Sequence, residues 1–409
     1  MAKSDQELAI WLNGQRVATL TKTRRGLGLA YEISLVKDIG VGSLCLSVAL
    51  PVREKPYSGE AVDRWVRGML PEGETLSEIE RRFNVSRGDS FGLFAAIGYD
   101  CAGAISIVGE QFQVSENTSA RQLSEGDLVR AIEDLPSQPL GVNEEVRVSL
   151  GGLQAKLLLC RTADGWERPA LGVPTTHILK PDPVEFPGLV ASEYYAMKIA
   201  EKAGLNVAHV EFETIGERQV LIVERFDRRV IGGKMTRVHQ EDGCQSLGLD
   251  PERDKYQRIG YRVPSYEALA KVISDHAIDP AIELRALGAA MVLTVALGNT
   301  DGHARNHSFL IEAGALSFAP IYDVAPTMAF VAAKTTALAI AGEKQIIKMT
   351  RHRLAVEMQS WGLTKIEASD VVNETYERIA SVVNEIDPGL APEKSVETVR
   401  EQIRRMSGA

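Results

Sequence analysis

The chain of 409 residues carries 46 Lys and Arg against 55 Asp and Glu, a formal net charge of −9, with 44% hydrophobic and 25% charged residues. That length supports two or three packed units with sizeable cores, and the composition is that of an ordinary globular protein. The acidic balance argues against a surface that holds nucleic acid by its own charge, while leaving a local basic patch or a contact made through a partner open. Cys45, Cys101, Cys160 and Cys244 form no C-x-x-C and sit near no histidine at metal-ligand spacing. They read as separate buried thiols of a cytoplasmic protein. Met1 to Gln6 leads into a strand-like segment without the apolar core of a signal peptide. The longest apolar run, Ala286 to Gly298, is too short to span a bilayer and suits a buried helix.

In chain order, residues 7–20 read as a hairpin, two apolar runs flanking Asn13-Gly14. Leu44 to Leu50 is a strand candidate closed by Pro51. Residues 60–84 are helical by the spacing of Val62, Trp65, Val66, Met69 and Leu70, with a second helix after Thr75. A short helix over Phe91 to Gly98 and a strand over Ile105 to Val108 complete a small α+β unit, 1–110. It clusters no catalytic residue types, so its expected role is support or partner contact. The polar stretch 111–145, with a helix from Ser124 to Leu135, is the best linker candidate. Strands follow at 145–150 and 157–160 around a glycine-containing turn. His177 to Pro181 reads as a strand ending in Lys180, and Ser192 to Ala203 as a helix N-capped by Ser192 and closed by Gly204. Strands at 210–214 and 219–224 end this β-rich section, 111–230. Helices are expected at 266–276 and 281–297, a hairpin at 309–318, and mostly helix over 352–409. The expected fold is therefore α+β: a two-lobed, protein-kinase-like layout. Its β-rich N-terminal lobe includes a small extra subdomain, and its C-terminal lobe, 231–409, is all-helical.

The chemistry-bearing residues concentrate at Gly298-Asn299-Thr300-Asp301-Gly302-His303-Ala304-Arg305-Asn306 and Tyr322-Asp323. An aspartate, an asparagine five residues on and an aspartate seventeen further follow the order of a kinase base and two metal ligands. Magnesium takes hard oxygen ligands and keeps several waters, so one carboxylate and one amide suffice on the protein side. A second carboxylate can take the proton of an acceptor hydroxyl. Taken alone, Asn-Thr-Asp-Gly is also turn chemistry. Lys180, at the end of an apolar strand, is placed to reach nucleotide phosphates, with Glu193 on the next helix as its partner. A solvated strand-end lysine is the plain alternative. The loop Ser149 to Lys156 lacks both G-x-G-x-x-G and the Walker pattern, although Gly151-Gly152 lets backbone N–H groups approach an anion. Val223 to Arg228 reads as a hinge between lobes or an ordinary charged strand end. His303 and His307 are four apart, but the loop signals around them argue against a helical metal pair.

In combination, these segments resemble the HipA family of bacterial serine/threonine kinase toxins, over essentially the whole length. The carrying stretches are Val148 to Lys156, His177 to Pro181, Val223 to Arg228, His239 to Gln245, Asn299 to Asn306 and Tyr322-Asp323, with Leu70-Pro71-Glu72-Gly73 and Ile97 to Ala104 resembling the family's first domain. The resemblance implies Asp301 as catalytic base and Asn306 and Asp323 as Mg2+ ligands. It implies Lys180 and the loop Leu150, Gly151, Gly152, Leu153, Gln154, Ala155 and Lys156 at the ATP phosphates. Glu224 and Phe226 would meet adenine, with Gln240, His303 and Tyr322 near the nucleotide. Ser149 matches the serine such kinases phosphorylate on themselves, and a phosphate there would repel those of ATP. The implied partners are a HipB-like helix-turn-helix antitoxin, operator DNA reached mainly through it, and a protein substrate such as the glutamyl aminoacyl-tRNA synthetase, whose modification would arrest translation and growth. Asn-Thr-Asp stands where general kinases have His-Arg-Asp, and Tyr-Asp-Val where they have Asp-Phe-Gly. The stretch after Asp323 has no assignable role. A kinase-shaped co-repressor and a small-molecule kinase are the competing readings.

Overall fold

The first apolar runs pair as strands because Asn13 and Gly14 both take positive φ (50° and 79°), the geometry that a tight two-residue hairpin requires. Gln6–Leu12 and Gln15–Thr23 are antiparallel across that turn, and Gly26–Tyr31, Tyr57–Ser58 and Ile105–Val108 complete a five-stranded sheet. Trp65, Phe94 and Ile10 are fully buried in the core this sheet shares with the helices Glu60–Gly68, Gly73–Arg82 and Ser90–Ile97. The computed structural model describes residues 6–109, 120–143, 146–258, 260–261, 263–332 and 334–408. The expectations that rest on 1–5, on the polar residues 110–119 and on 144–145 fall outside them.

Leu44 to Leu50 is not a strand. Its backbone is satisfied from the other half of the molecule: Glu241 accepts from Val48 N–H (2.8 Å) and from Ser47 Oγ (2.6 Å), and His239 Nε2 bonds Leu46 O (2.8 Å). Leu44, Leu46 and Leu50 are buried with no alternation of faces, because the segment is wedged between two layers and forms no sheet.

A six-stranded sheet follows, ordered Val210–Ile215, Arg218–Glu224, His177–Pro181, Leu157–Thr162, Gly165–Arg168, Arg121–Gln122. The period-two pleat sorts its central strand: Leu179 enters the core under the Glu125–Glu133 helix, while Ile178 and Lys180 face a cleft on the opposite side. Residues 146–150 contribute a single bridge, Val148 with Asp100, in place of the expected strand. The Leu189–Lys202 helix begins three residues earlier than Ser192. Asp182 accepts from the Gly188 and Val190 N–H groups, so the helix start is satisfied from outside it. Ser192 lies in the first turn, with Oγ bonded to Gly188 O and Ser395 Oγ.

The second lobe is built on Tyr266–His276, Pro280–Ala296, Arg351–Ser360, Lys365–Val382 and Glu393–Ser407. It is not all-helical. His239–Asp242, Ser308–Glu312 and Ala315–Phe318 form a three-stranded sheet at the cleft, and Thr335–Ile340 pairs with Glu343–Gln345. A short sheet there aims two chain ends at one point, which a helix packed on the core would not do. All four cysteines are buried and unpaired with one another. Among the described residues no helix is long and apolar enough to cross a membrane.

A buried ionic cluster joins the lobes. Asp100 accepts from Arg228 (2.9 Å), Arg237 (3.0 Å) and Thr175 Oγ1 (2.7 Å), and Asp227 accepts from Arg225 (2.8 Å) and Gly103 N–H (2.7 Å). Burial alone would neutralise Asp100, but the three arginines outweigh it and hold its carboxyl far below the usual range. Replacing Asp100 by Asn strands buried guanidinium charge, and we expect a loss of about 3–5 kcal/mol. Urea unfolding measures it; a shift worth less than about 1 kcal/mol would show that the arginines find other partners.

Candidate active site

Lys180 leaves its strand into the cleft and meets two carboxylates from different elements. Its ammonium donates to Glu193 (2.8 Å) on the Leu189–Lys202 helix and to Asp323 (2.6 Å) on the second lobe. Glu193 and Met197, one helical turn apart, both face this cleft. Burial disfavours the charge on Lys180, yet the two carboxylates raise its pKa above the ordinary lysine value. The same burial raises Glu193, which has Lys180 as its partner. Asp323 stays open to the cleft, with 42% of its side chain exposed. The protein around it opposes its charge, but Lys180 prevails and lowers its carboxyl to about 2. Asp323 has φ +58°, a left-handed conformation that an aspartate tolerates and a branched residue does not.

Asn306 stands beside it, its amide donating to Asp323 Oδ2 (3.2 Å). The buried Pro280–Ala296 helix delivers the loop that carries both Asp301 and Asn306. That loop is braced from within and from behind: Asn299 Oδ1 accepts the Asp301 N–H (2.9 Å), and Thr327 Oγ1 accepts the Thr300 N–H (2.7 Å). The stretch after Asp323, to which no role was assignable from its residues, therefore supports this loop. One Asp301 oxygen accepts the Tyr256 hydroxyl. Burial raises the Asp301 carboxyl above its ordinary value, against the lowering effect of that hydrogen bond.

The cleft is walled by Leu150, Ile178, Val223, Phe226 and Tyr322, with polar groups from Lys180, Glu224, Gln240 and Asp323. The Phe226 and Tyr322 ring centroids lie 5.5 Å apart in its wall, their planes tilted by 39°. An apolar slot with charge at one end suits a flat heterocycle carrying phosphates. The structure thus brings Leu150, Lys180, Glu224, Phe226, Gln240, Tyr322 and Asp323 to one cavity. Gly151, Gly152, Leu153, Gln154, Ala155 and Lys156 do not line it. The Ser149–Lys156 loop is folded against the first unit instead, Ser149 Oγ donating to Met69 O (2.7 Å) and Lys156 Nζ to Gly151 O (2.7 Å). Ser149 is fully buried there. Burial, then the charge of Lys180, lowers Lys156 to about 8. His303 lies on the Asp301 side, its ring edge-on to Tyr256 and its Nδ1 buried without a partner. Burial lowers it to about 3, so it is a neutral imidazole.

Among the described residues no three His, Cys, Asp or Glu gather as a metal cluster. A cation beside Lys180 would rest on the Asp323 carboxylate and the Asn306 amide, a sparse, hard-oxygen set of the kind magnesium accepts when water and phosphate fill its other positions. Tyr256, Lys255 and Thr327 support this site and carry no local sequence signal. Glu72 and Arg305 also support it, and each lies in a stretch that carries the family resemblance.

The HipA N-terminal domain model matches residues 8–108 and the HipA-like C-terminal domain model residues 148–384. The chain is 34% identical to Y4mE of Sinorhizobium fredii over 79% of this chain and 78% of that one. It is 27% identical to the serine/threonine-protein kinase toxin HipA of Shewanella oneidensis over 88% and 85% respectively. A solved Shewanella oneidensis chain from a complex of HipA, HipB and operator DNA shares its fold, with a TM-score of 0.82 at 24% identity over 98% of this chain and 96% of that one.

Replacing Lys180 by Met leaves Glu193 buried and uncompensated. At pH 7 we expect a loss of about 3 kcal/mol. Without its lysine, Glu193 has a folded pKa raised further above its unfolded value, so the penalty exists above the unfolded pKa and fades as the pH falls toward about 4.3. Melting temperatures of the variant and parent should therefore converge between pH 7 and pH 5; a gap constant with pH would contradict it.

Proposed function

The chain belongs to the HipA family, and from that premise we propose that it is an ATP-dependent serine/threonine protein kinase, the toxin of a toxin–antitoxin pair. The observation that carries this reading is Lys180 held between Glu193 and Asp323, with Asn306 adjoining and Asp301 on the same loop. A protein needing only a folded scaffold has no use for a charged lysine kept in an apolar cleft by two carboxylates.

In this reading adenine lies against the wall that Phe226 and Tyr322 form together, with Glu224 and Gln240 at its edge. Lys180 donates to the nucleotide phosphates, and Glu193 keeps its ammonium in place. Asp323 and Asn306 are the residues that would hold the cation, with Asp323 then released from Lys180. When bound, Mg2+ neutralises phosphate charge and orients the transferred group. Asp301 accepts the proton of the acceptor hydroxyl through the oxygen that Tyr256 leaves free, and its raised pKa suits that role. The Leu150–Lys156 loop supplies backbone N–H groups once it turns toward the cleft.

Ser149 is the site of self-modification. Its hydroxyl is sealed beneath Met69 O, so the loop must leave that seat to be phosphorylated. A phosphate of about −2 charge fits neither the closed seat nor the neighbourhood of ATP's own phosphates. The modified loop stays out, and the kinase is switched off. By family and by analogy with the Shewanella complex, the partners are a HipB-like antitoxin and operator DNA, and the substrate class is a protein such as the glutamyl aminoacyl-tRNA synthetase.

Incubation with Mg2+ and labelled ATP is expected to label Ser149. Asp301→Asn should lower the rate by about 10²–10⁴-fold with ATP still bound. Ser149→Asp should lose ATP affinity; a Ser149→Asp protein as active as its parent sinks the switch. Absence of both ATP binding and labelling in the unmodified protein would favour a kinase-shaped co-repressor.

A further inference from the structure

The segment Gly68 to Glu72 of the first unit touches two loops of the proposed site, the one before Asn306 and the one from Ser149 to Lys156. The Glu72 carboxylate accepts from Lys255 Nζ (2.7 Å) with one oxygen and from Arg305 with the other. Arg305 is the residue before Asn306, and its guanidinium also donates to Gly68 O (2.7 Å) and Asp242 (2.9 Å). Lys255 reaches the same loop through its backbone, its carbonyl accepting the Ala304 N–H (3.0 Å). Two carboxylates and two cations, each with only 8–11% of its side chain exposed, thus grip the loop that carries Asp301 and Asn306. Such a set is intolerant of losing one member, because the partner charge is then buried alone.

The main chain of the same segment grips the opposite wall. Glu72 N–H donates to Gly152 O (3.3 Å), Pro71 bridges Gly152, and Met69 O accepts the Ser149 hydroxyl. The contact is close enough that a Cβ on Gly151 would strike the Arg305 guanidinium. A side chain at Gly151 would therefore have to push the Arg305 guanidinium off Gly68 O.

We propose that Glu72 is a positioning residue: its carboxylate sets the Asp301–Asn306 loop, its main chain seats the Ser149–Lys156 loop, and the first unit thereby holds the two walls of the cleft in one register. This rests on the kinase reading of those loops. It gives the first unit a part in catalysis, and any partner that shifts this unit acts on both walls together.

The test compares the full chain with Glu72→Gln, Glu72→Asp and the exposed control Glu74→Gln. In Glu72→Gln, amide hydrogen exchange should quicken about tenfold in peptides covering 149–156 and 301–306 together, and stay unchanged in the Gln6–Thr23 hairpin. In the kinase assay its KM for ATP should rise and its kcat fall, each by about tenfold, with Glu72→Asp recovering part of both. A lowered melting temperature with parental exchange in the loops, or one loop loosening without the other, overturns the proposal. If Glu72→Gln does not fold, Glu72→Asp is judged by the same two criteria. A parent that transfers no phosphate refutes the kinase reading, while the exchange result still decides the role of Glu72.

Discussion

An ammonium group in an apolar cleft survives only if opposite charge meets it there. Lys180 is met twice, by Glu193 and by Asp323, and these three side chains come from a central strand, the helix that crosses it and the second lobe. The molecule is arranged to make that meeting possible. The pleat points Lys180 into the cleft, an external cap from Asp182 starts the helix early enough to aim Glu193 at it, and a short sheet at the rim brings Asp323 in from the other side. The lysine and the aspartate satisfy each other. Their contact is one that phosphate and a cation can replace without leaving either charge stranded.

The second organising constraint is the first unit. Its own residues contain no catalytic cluster, and they do not need one. They contribute carboxylates and carbonyls: Asp100 to Arg228 and Arg237, Glu72 and Gly68 to Arg305, Met69 to Ser149. Each contact is buried and most are charged, so each is strong when complete and costly when broken. A unit attached this way transmits displacement. Ser149 is the clearest instance, since its hydroxyl is sealed only as long as the first unit covers it.

Much was legible in the residues alone. The Asn-Gly hairpin, the helices of both lobes, the strand ending in Lys180 and the hairpin ahead of Asp323 follow from periodicity and turn chemistry, which are local. The misreadings share one cause. Leu44 to Leu50 looks like a strand but takes its hydrogen bonds from Glu241 and His239, almost two hundred residues away. Ser192 looks like a cap, but Asp182 does that work from outside the helix. The second lobe looks all-helical until Tyr266–His276 and its neighbours are seen to leave room for a sheet at the rim.

The order Asp301, Asn306, Asp323, with a lysine far upstream, is a linear property that points to phosphoryl-transfer chemistry, and the family resemblance is carried only by several such segments in combination. Whether those residues meet is not linear. Lys180 and Asp323 are 143 positions apart, Glu72 and Arg305 are 233, and no period or turn rule reaches that far. Burial settles it: a buried charge must find its partner wherever the fold puts one, and the choice of Glu72 for Arg305 exists only once two units have packed.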